Sequence, residues 1–457
     1  MGADRSRLPD VGADPSFTFP AIVRHTLPNG LAVRTVEHHS VPIVTFTLQI
    51  DGGSGADSAG QEGLSAVVAD MVDEGTGAMT AIDVSDALSR IGADYDVDVG
   101  ADATVFTLTT LRRFAERGAS LLADLTVRPS LREEDFDRIR QLRLDRLKQL
   151  KDSAPATAER TFLRLVYGSH PYGHLAIGAD AALRALSLED VRSCHAQRFQ
   201  PTRATLVIAG ALSHQQLLDV AARFSEWASE SAPTSSPAPA STVMPPMQPG
   251  ARLALVHREG AAQSELRLGH LAAKRSTPDY PSLLVMNAVL GGQFASRINL
   301  KLREEKAFTY GARTGFDWHR GLSPFVLQAS VHTAATAESI ADSFAEIEGI
   351  RGSRPPTSDE LALAKASLTR GYPRNFETTQ QVARSVAQLA LHDLPDTYFA
   401  EFVPRINVVS GDDVTRAAAA YLDTSKLATL IVGDHSAIAD SLRALGLGEP
   451  RVLPLEL

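Results

Sequence analysis

Cysteine and histidine are the side chains of this sequence best able to attack a carbonyl or hold a metal, and their spacing limits both uses. Cys194 is the sole cysteine, and His195 follows it directly in the stretch DVRSCHAQRF. A thiolate–imidazole pair needs two side chains that face each other, whereas neighbours on a helix diverge. The stretch reads as an amphipathic helix, with Cys194 as a structural thiol. One cysteine also excludes an intramolecular disulfide and any zinc site that takes two cysteines from one chain. The 13 histidines include no H-E-x-x-H and no H-x-x-E-H. His170 and His174 are four apart, but Pro171 and Gly173 lie between them, which places them on a loop. His38 and His39 would point to opposite faces of an extended chain. Glu133, Glu134 and Asp135 open a helical pattern, where negative charge suits the helix dipole better than it suggests a ligand set.

The stretch GLSAVVADMVDEGT, Gly63 to Thr76, has the outline of a helix with an apolar face through Val67, Val68 and Met71. The positions beside that face hold Ala66, Ala69 and Asp70. Only Asp70 carries a reactive group.

These residues must be positioned by a large scaffold. A chain of 457 residues exceeds one hydrophobic core, so two or more domains are expected. The formal charge of −9 argues against nucleic acid or an anionic membrane as the main partner, since both need a basic face. No apolar run approaches the ~20 residues of a membrane span. The opening MGADRSRLPDVGADPSFTFP is polar and broken by proline, so no signal peptide is expected. The chain as given reads as soluble, either cytoplasmic or, had a leader been removed, periplasmic.

The organisation is an internal repeat. EDVRSCHAQRFQPTRATLVIAGALS (189–213) aligns without a gap with DDVTRAAAAYLDTSKLATLIVGDHS (412–436), matching Asp190 to Asp413, Val191 to Val414 and Gly210 to Gly433. Each copy is a helix pattern, a turn and a buried-strand pattern closed by glycine. Between the copies, SESAPTSSPAPASTVMPPMQPG (229–250) is rich in Pro, Ser and Ala and reads as a linker. The expected domains are 20–228 and 251–445. Both begin with strand patterns, the first with a PNG turn between alternating runs. Strands are expected at 103–111, 252–257, 264–271, 309–318 and 324–332. Helices are expected at 60–74, 80–91, 113–125, 133–152, 278–290, 294–304, 336–350 and 358–370. Because strands and helices mix rather than alternate, the fold class is α+β: two homologous α/β sandwich halves joined by the linker.

In this order and spacing, LPNGLAV (27–33), GLSAVVADMVDEGT (63–76), GSHPYGHLAIG (168–178), NAVLGGQFASRINLKLREEKAFTYGA (287–312), PTSDELALAKASL (356–368) and LPDTYF (394–399) resemble the M16 zinc peptidases, the pitrilysin, insulysin and mitochondrial processing peptidase family. The resemblance covers nearly the whole chain. Such peptidases carry H-x-x-E-H on a helix and a glutamate on a later one. Two histidines and that glutamate bind zinc, and the first glutamate activates the bound water. Carried onto this sequence, the first ligand falls on Ala66, the base on Ala69 and the second ligand on Asp70. The later helix offers only Asp145 and Arg146 near the expected glutamate. No metal is therefore expected in this chain, and no peptidase activity of its own.

The resemblance also implies an Arg/Tyr pair seven residues apart that binds the substrate carbonyl and steadies the oxyanion. LREEKAFTY supplies it as Arg303 and Tyr310. Taken alone, the two would read as a helix-surface ion pair and a packing residue. LGGQF (290–294) reads as a turn with glycines at a helix cap, and by resemblance Gly291, Gly292 and Phe294 face substrate. The implied function is a non-catalytic, substrate-binding subunit of a heterodimeric zinc peptidase. Its partner would be a zinc-bearing homologue with an intact motif, and its substrate a peptide or unfolded segment. The alternative is a proteolytically silent assembly protein, like the core subunits of respiratory complex III.

Overall fold

The structure is a computed structural model that describes residues 17–228 and 252–454. The expected linker, 229–250, lies outside the described residues.

Two six-stranded sheets form the frame. The first contains β1 (Ile22–Thr26), β2 (Ala32–Glu37) and β3 (Ile43–Asp51). A short pair, β4 (Gly75–Thr76) and β5 (Met79–Thr80), stands apart from it. β6 (Asp94–Val99), β7 (Ala103–Leu111) and β8 (Ala204–Gly210) complete the first sheet, in the order β1-β2-β8-β3-β7-β6. The second sheet contains β9 (Leu253–His257), β10 (Gln263–Ala273), β11 (Thr309–Phe316), β12 (Ser323–His332), β13 (Ala428–Gly433) and β14 (Arg451–Leu453), in the order β11-β12-β10-β13-β9-β14. Read from opposite ends the two orders match over five strands, with β6 and β11 at equivalent edges; the other edges differ, since β1 runs antiparallel to β2 and β14 parallel to β9. Each sheet is mixed: β2 runs parallel to β8 and β13 parallel to β9, and the central pairs are antiparallel.

The helices of the aligned stretches start alike. Ser187 and Asp190 form a capping box at the helix Leu188–Arg198, and Ser410 and Asp413 form one at Gly411–Tyr421. The aligned aspartates Asp190 and Asp413 thus do the same work, each satisfying backbone donors at a helix start.

Both faces of each sheet are covered. On one face, Val44, Phe46, Leu48, Ile50, Phe106 and Ile208 pack beneath helices of the first half. Leu255, Leu266, Leu268 and Ile431 do the same beneath helices of the second half. The opposite faces are covered by an exchange. The helix Thr379–Leu391 lies on β8 and β3, where Val382, Ala383 and Val386 meet Val207 and Ala209. The helix Ala154–Tyr167 lies on β10 and β13, where Ala158, Phe162 and Val166 meet Ala254, Leu430 and Val432. Each half thus lends a helix to the other half's sheet. Polar groups seal both contacts: Thr45 bonds Thr379 at 2.8 Å, and the Tyr167 hydroxyl donates to the Leu322 carbonyl at 2.7 Å.

Candidate functional site

The first place of interest is the helix Leu64–Met71. Gly63 precedes it with φ of 105°, and a side chain there would run into Gly178 at 2.8 Å, so only glycine fits. The buried Asp57 carboxylate caps the helix from outside, accepting from the Gly63 and Ser65 amides at 3.0 and 2.9 Å. Arg198 backs it, 3.3 Å from Asp57 and 2.6 Å from the Ser65 hydroxyl. This cap is not legible along the chain, because Asp57 sits outside the helix's own first turn.

Ala66 and Ala69 are buried in the core. Asp70 points to the helix Glu133–Leu150, where the Arg143 Nε donates to its Oδ2 at 2.7 Å. The same guanidinium reaches the Ala66 carbonyl through Nη2 at 3.1 Å. A fixed cation thus bonds Asp70 and the Ala66 backbone, two positions of the expected ligand set. Burial pushes the Asp70 carboxyl up, against the opposing pull of Arg143. Asp145, the one carboxylate left as a candidate ligand on this helix by the sequence, is half-exposed and bonded instead to Gln141 and Lys148. Two residues along a helix from Arg143, it leaves on a different face. Zinc does not fit these residues: the first ligand and the base are alanines, and an arginine already holds the aspartate. Among the described residues, no group of three or more His, Cys, Asp and Glu could hold a metal ion.

Arg143 carried a signal that sequence reading passed over. Phe136, Ile139 and Leu147 are buried at helical spacing, and Arg143 falls on the same stripe. A charge inside an apolar stripe needs a buried partner.

The other sequence candidates settle as structural groups. Cys194 is buried, and burial pushes its thiol up to about 11, so it holds no thiolate near neutral pH. His195 bonds the Thr126 carbonyl at 2.9 Å and stacks on Phe199. His170 and His174 flank a single turn, Pro171–Gly173, in which the His170 Nδ1 accepts from the Tyr172 amide at 3.1 Å.

The second place is the edge of the second sheet. The helix Arg297–Asn299 continues as a π-helical turn over Leu300–Glu305, which carries Arg303. The chain leaves that turn through Ala307, with φ of 53°, and enters β11. There a bulge lies between Thr309 and Ala312, and it leaves the Tyr310 side chain 92% exposed. Asn299 pins the bulge: its Oδ1 accepts from the Ala312 amide at 2.8 Å, and its Nδ2 donates to the Gln293 carbonyl at 3.1 Å. The Arg303 guanidinium lies over the Phe294 ring at 4.2 Å, and its nearest carboxylate is Glu304 at 3.5 Å. Arg303, Tyr310, Phe294 and Asn299 line one open cavity of about 380 Å³, with Glu265 and Arg313 across from them.

The expected helix cap is present at LGGQF, without a left-handed backbone: Gly291 is the C-cap of the helix Tyr280–Leu290, its amide donating to the Asn287 carbonyl at 2.9 Å. Neither Gly291 nor Gly292 has positive φ. Gly291 is buried, and a side chain there would meet Thr314 at 2.6 Å, so close packing of the helix end on β11 demands it. Gly292 and Phe294 are exposed.

Two homologous sheets, a metal-type helix in one and an Arg/Tyr edge in the other define a class, and comparison with known sequences assigns the family. The profile of the insulinase family, peptidase family M16, matches residues 32–179, and that of the peptidase M16 inactive domain matches 185–368. The chain belongs to the M16 family. An uncharacterized zinc protease of Mycobacterium bovis is 23% identical over 95% of this chain and 98% of its own length. The non-peptidase homolog YmxG of Helicobacter pylori is 21% identical over 87% of this chain and 90% of its own. A peptidase M16 inactive domain from Pseudomonas fluorescens superposes with a TM-score of 0.83, at 21% identity, over 90% of this chain and 98% of its own.

Proposed function

We propose that this chain is the non-catalytic, substrate-binding subunit of a two-chain M16 zinc peptidase, contributing Arg303 and Tyr310 to a site whose zinc a homologous partner supplies. The observation that carries this reading is the contrast between the two places. The Arg143–Asp70 pair closes the motif helix, whereas Tyr310 stands free on a pinned bulge beside Arg303. A phenol held 92% exposed gains little from its own fold; it suits a group that must bond something outside the chain. A guanidinium and a phenol aimed at a developing oxyanion stabilise it without reorganising. Relatives that include a named zinc protease and a named non-peptidase homolog agree with such a division.

The test uses the complex with a zinc-bearing homologue from the same organism. The chain alone should cleave no unstructured peptide, and the mixture should exceed the homologue alone. Tyr310→Phe and Arg303→Ala should each lower kcat/KM of the complex by about 10²-fold, roughly 2.7 kcal/mol, with assembly unchanged on gel filtration. Full activity in both variants would remove the pair from the site and favour the assembly-protein reading.

A further inference from the structure

A second groove lies on the first half, away from the motif helix and on a different half from the Arg/Tyr edge. It has a volume of about 660 Å³ and runs between the start of the helix Ala115–Val127 and the helix His214–Ala221. Ala115, Leu212 and Val220 give it apolar lining, and Arg112, Arg113, Arg117 and Arg223 supply four cations. Arg223 is paired with Glu116 at 3.0 Å. Arg112, Arg113 and Arg117 are exposed and, among the described residues, form no ion pair and no side-chain hydrogen bond; Arg113 only lies over the Phe114 ring, at 4.8 Å.

The protein's own repeat supplies the control. In the first half, a three-residue turn, Arg112–Phe114, leads into a helix of 13 residues. In the second half, the turn Thr333–Ala335 leads into a helix of the same length, Thr336–Glu348. Position for position, Arg112 corresponds to Thr333, Arg113 to Ala334 and Arg117 to Glu338. The junction therefore folds without arginine. Both helices carry one acid in the first turn, Glu116 and Glu338, which suits the helix dipole; the first half differs in adding the three arginines around it. Three exposed cations that pair with no carboxylate of the fold contribute little to its stability and gain their partners when an anion joins them.

We propose that this groove docks an acidic segment of a partner protein, with carboxylates on Arg112, Arg113 and Arg117 and an apolar side chain on the half-buried Leu212. The site is open rather than enclosing, and Glu116 and Asp219 also line it, which disfavours a dense polyphosphate. The chain's charge of −9 disfavours an anionic membrane. Planar guanidiniums bind carboxylates bidentately, and an extended segment with alternating side chains can present carboxylates to the rim and apolar groups to the floor.

The experiment measures fluorescence anisotropy of a labelled peptide of alternating Glu and Leu on the full chain, with a Gln/Leu peptide as control. The Glu peptide should bind at least roughly tenfold tighter than the Gln peptide, and more weakly when salt rises from about 50 to about 200 mM. The variant Arg112→Thr/Arg113→Ala/Arg117→Glu, which copies the second half, should lose that binding by roughly tenfold or more while keeping the melting temperature. Arg443→Ala, which removes an exposed cation of the second half, should bind as wild type does. Equal affinity for the two peptides, undiminished binding by the triple variant, loss of binding in Arg443→Ala, or tighter binding of phosphatidylserine vesicles or inorganic pyrophosphate than of the peptide would each overturn the proposal.

Discussion

Arg143 occupies Asp70, the carboxylate that stands among the aligned ligand positions. Its Nε holds Asp70 at 2.7 Å, with side-chain exposures of 14% for the arginine and 39% for the aspartate. Arg143→Ala leaves a half-buried carboxylate unpaired. The expected loss is about 1–2 kcal/mol, below the roughly 3–5 of a fully buried pair because solvent reaches Asp70; urea denaturation measures it. For the same reason, Ala66→His/Ala69→Glu/Asp70→His should still bind far less than one zinc per chain by elemental analysis. It frees a cation beside the new ligands and brings no distal glutamate. A stoichiometric zinc that survives dialysis of this variant would refute the argument. One turn on, burial first, then the neighbouring Glu74 and Asp70, raise the Asp73 carboxyl to about 6. A carboxyl whose folded pKa lies above its unfolded value binds more protons in the folded state. Stability therefore falls as pH rises from about 4 to about 6, and the full cost is present above that window. Asp73→Asn should raise Tm at pH 7.5 and lose that advantage at pH 4; an equal gain at both values would point to a cause other than ionisation.

At the scale of elements, the site at the second edge depends on how a helix hands over to a strand. Ala307 bridges the π-helical turn and β11 with φ of 53°, and the Phe308 amide donates to the Leu302 carbonyl at 2.8 Å to close the turn. An alanine in the left-handed region costs about 1–2 kcal/mol, partly offset in glycine by chain entropy. Ala307→Gly should therefore stabilise the protein by about 0.5–1 kcal/mol, seen as a higher urea midpoint at constant slope. Asn299 is the companion test. Its side chain is buried at the base of the cavity and fixes the bulge that presents Tyr310. Asn299→Ala should lower kcat of the complex more than it changes KM, whereas a purely packing role would change stability alone.

For the whole molecule, the exchange of helices makes the two sheets interdependent. Without the second half, the Val207 and Ala209 face of the first sheet would lose the helix Thr379–Leu391, and Phe162 would face water. Cutting the chain between residues 228 and 252 should leave one particle on gel filtration, with both fragments in the same peak. Each fragment expressed alone should aggregate or bind a hydrophobic dye. Phe162→Ala, at a position only 3% exposed, should cost about 3–5 kcal/mol and loosen both halves together. Two independent unfolding steps would contradict this coupling. Ion pairs across the halves, Arg24 with Asp396 at 2.7 Å and Arg320 with Asp51 at 3.0 Å, are half-exposed and add registry more than stability.

The family, the α+β class and the internal repeat are legible in the chain, because each is written in local order: spacing along a helix, alternation along a strand, motifs in a set succession. The strand expected at 103–111 is β7 to the residue, and the helix expected at 80–91 is Ala81–Arg90. Helix ends differed where capping came from afar, as with Asp57 at the helix Leu64–Met71. The edge strand β6, with its Asp-x-Asp-x-Asp faces, and the helices Ala154–Tyr167 and Thr379–Leu391 were not legible. Charged residues obscure the first, and the other two bury their apolar stripes on a sheet hundreds of residues from their own half's core pattern. Only contacts across the fold determine that Arg143, rather than Asp145, meets Asp70, that Thr314 leaves no room for a side chain on the capping Gly291, and that each half completes the other. Those outcomes depend on which surfaces meet across the fold, and a contact between distant segments leaves no periodicity in the chain that makes it.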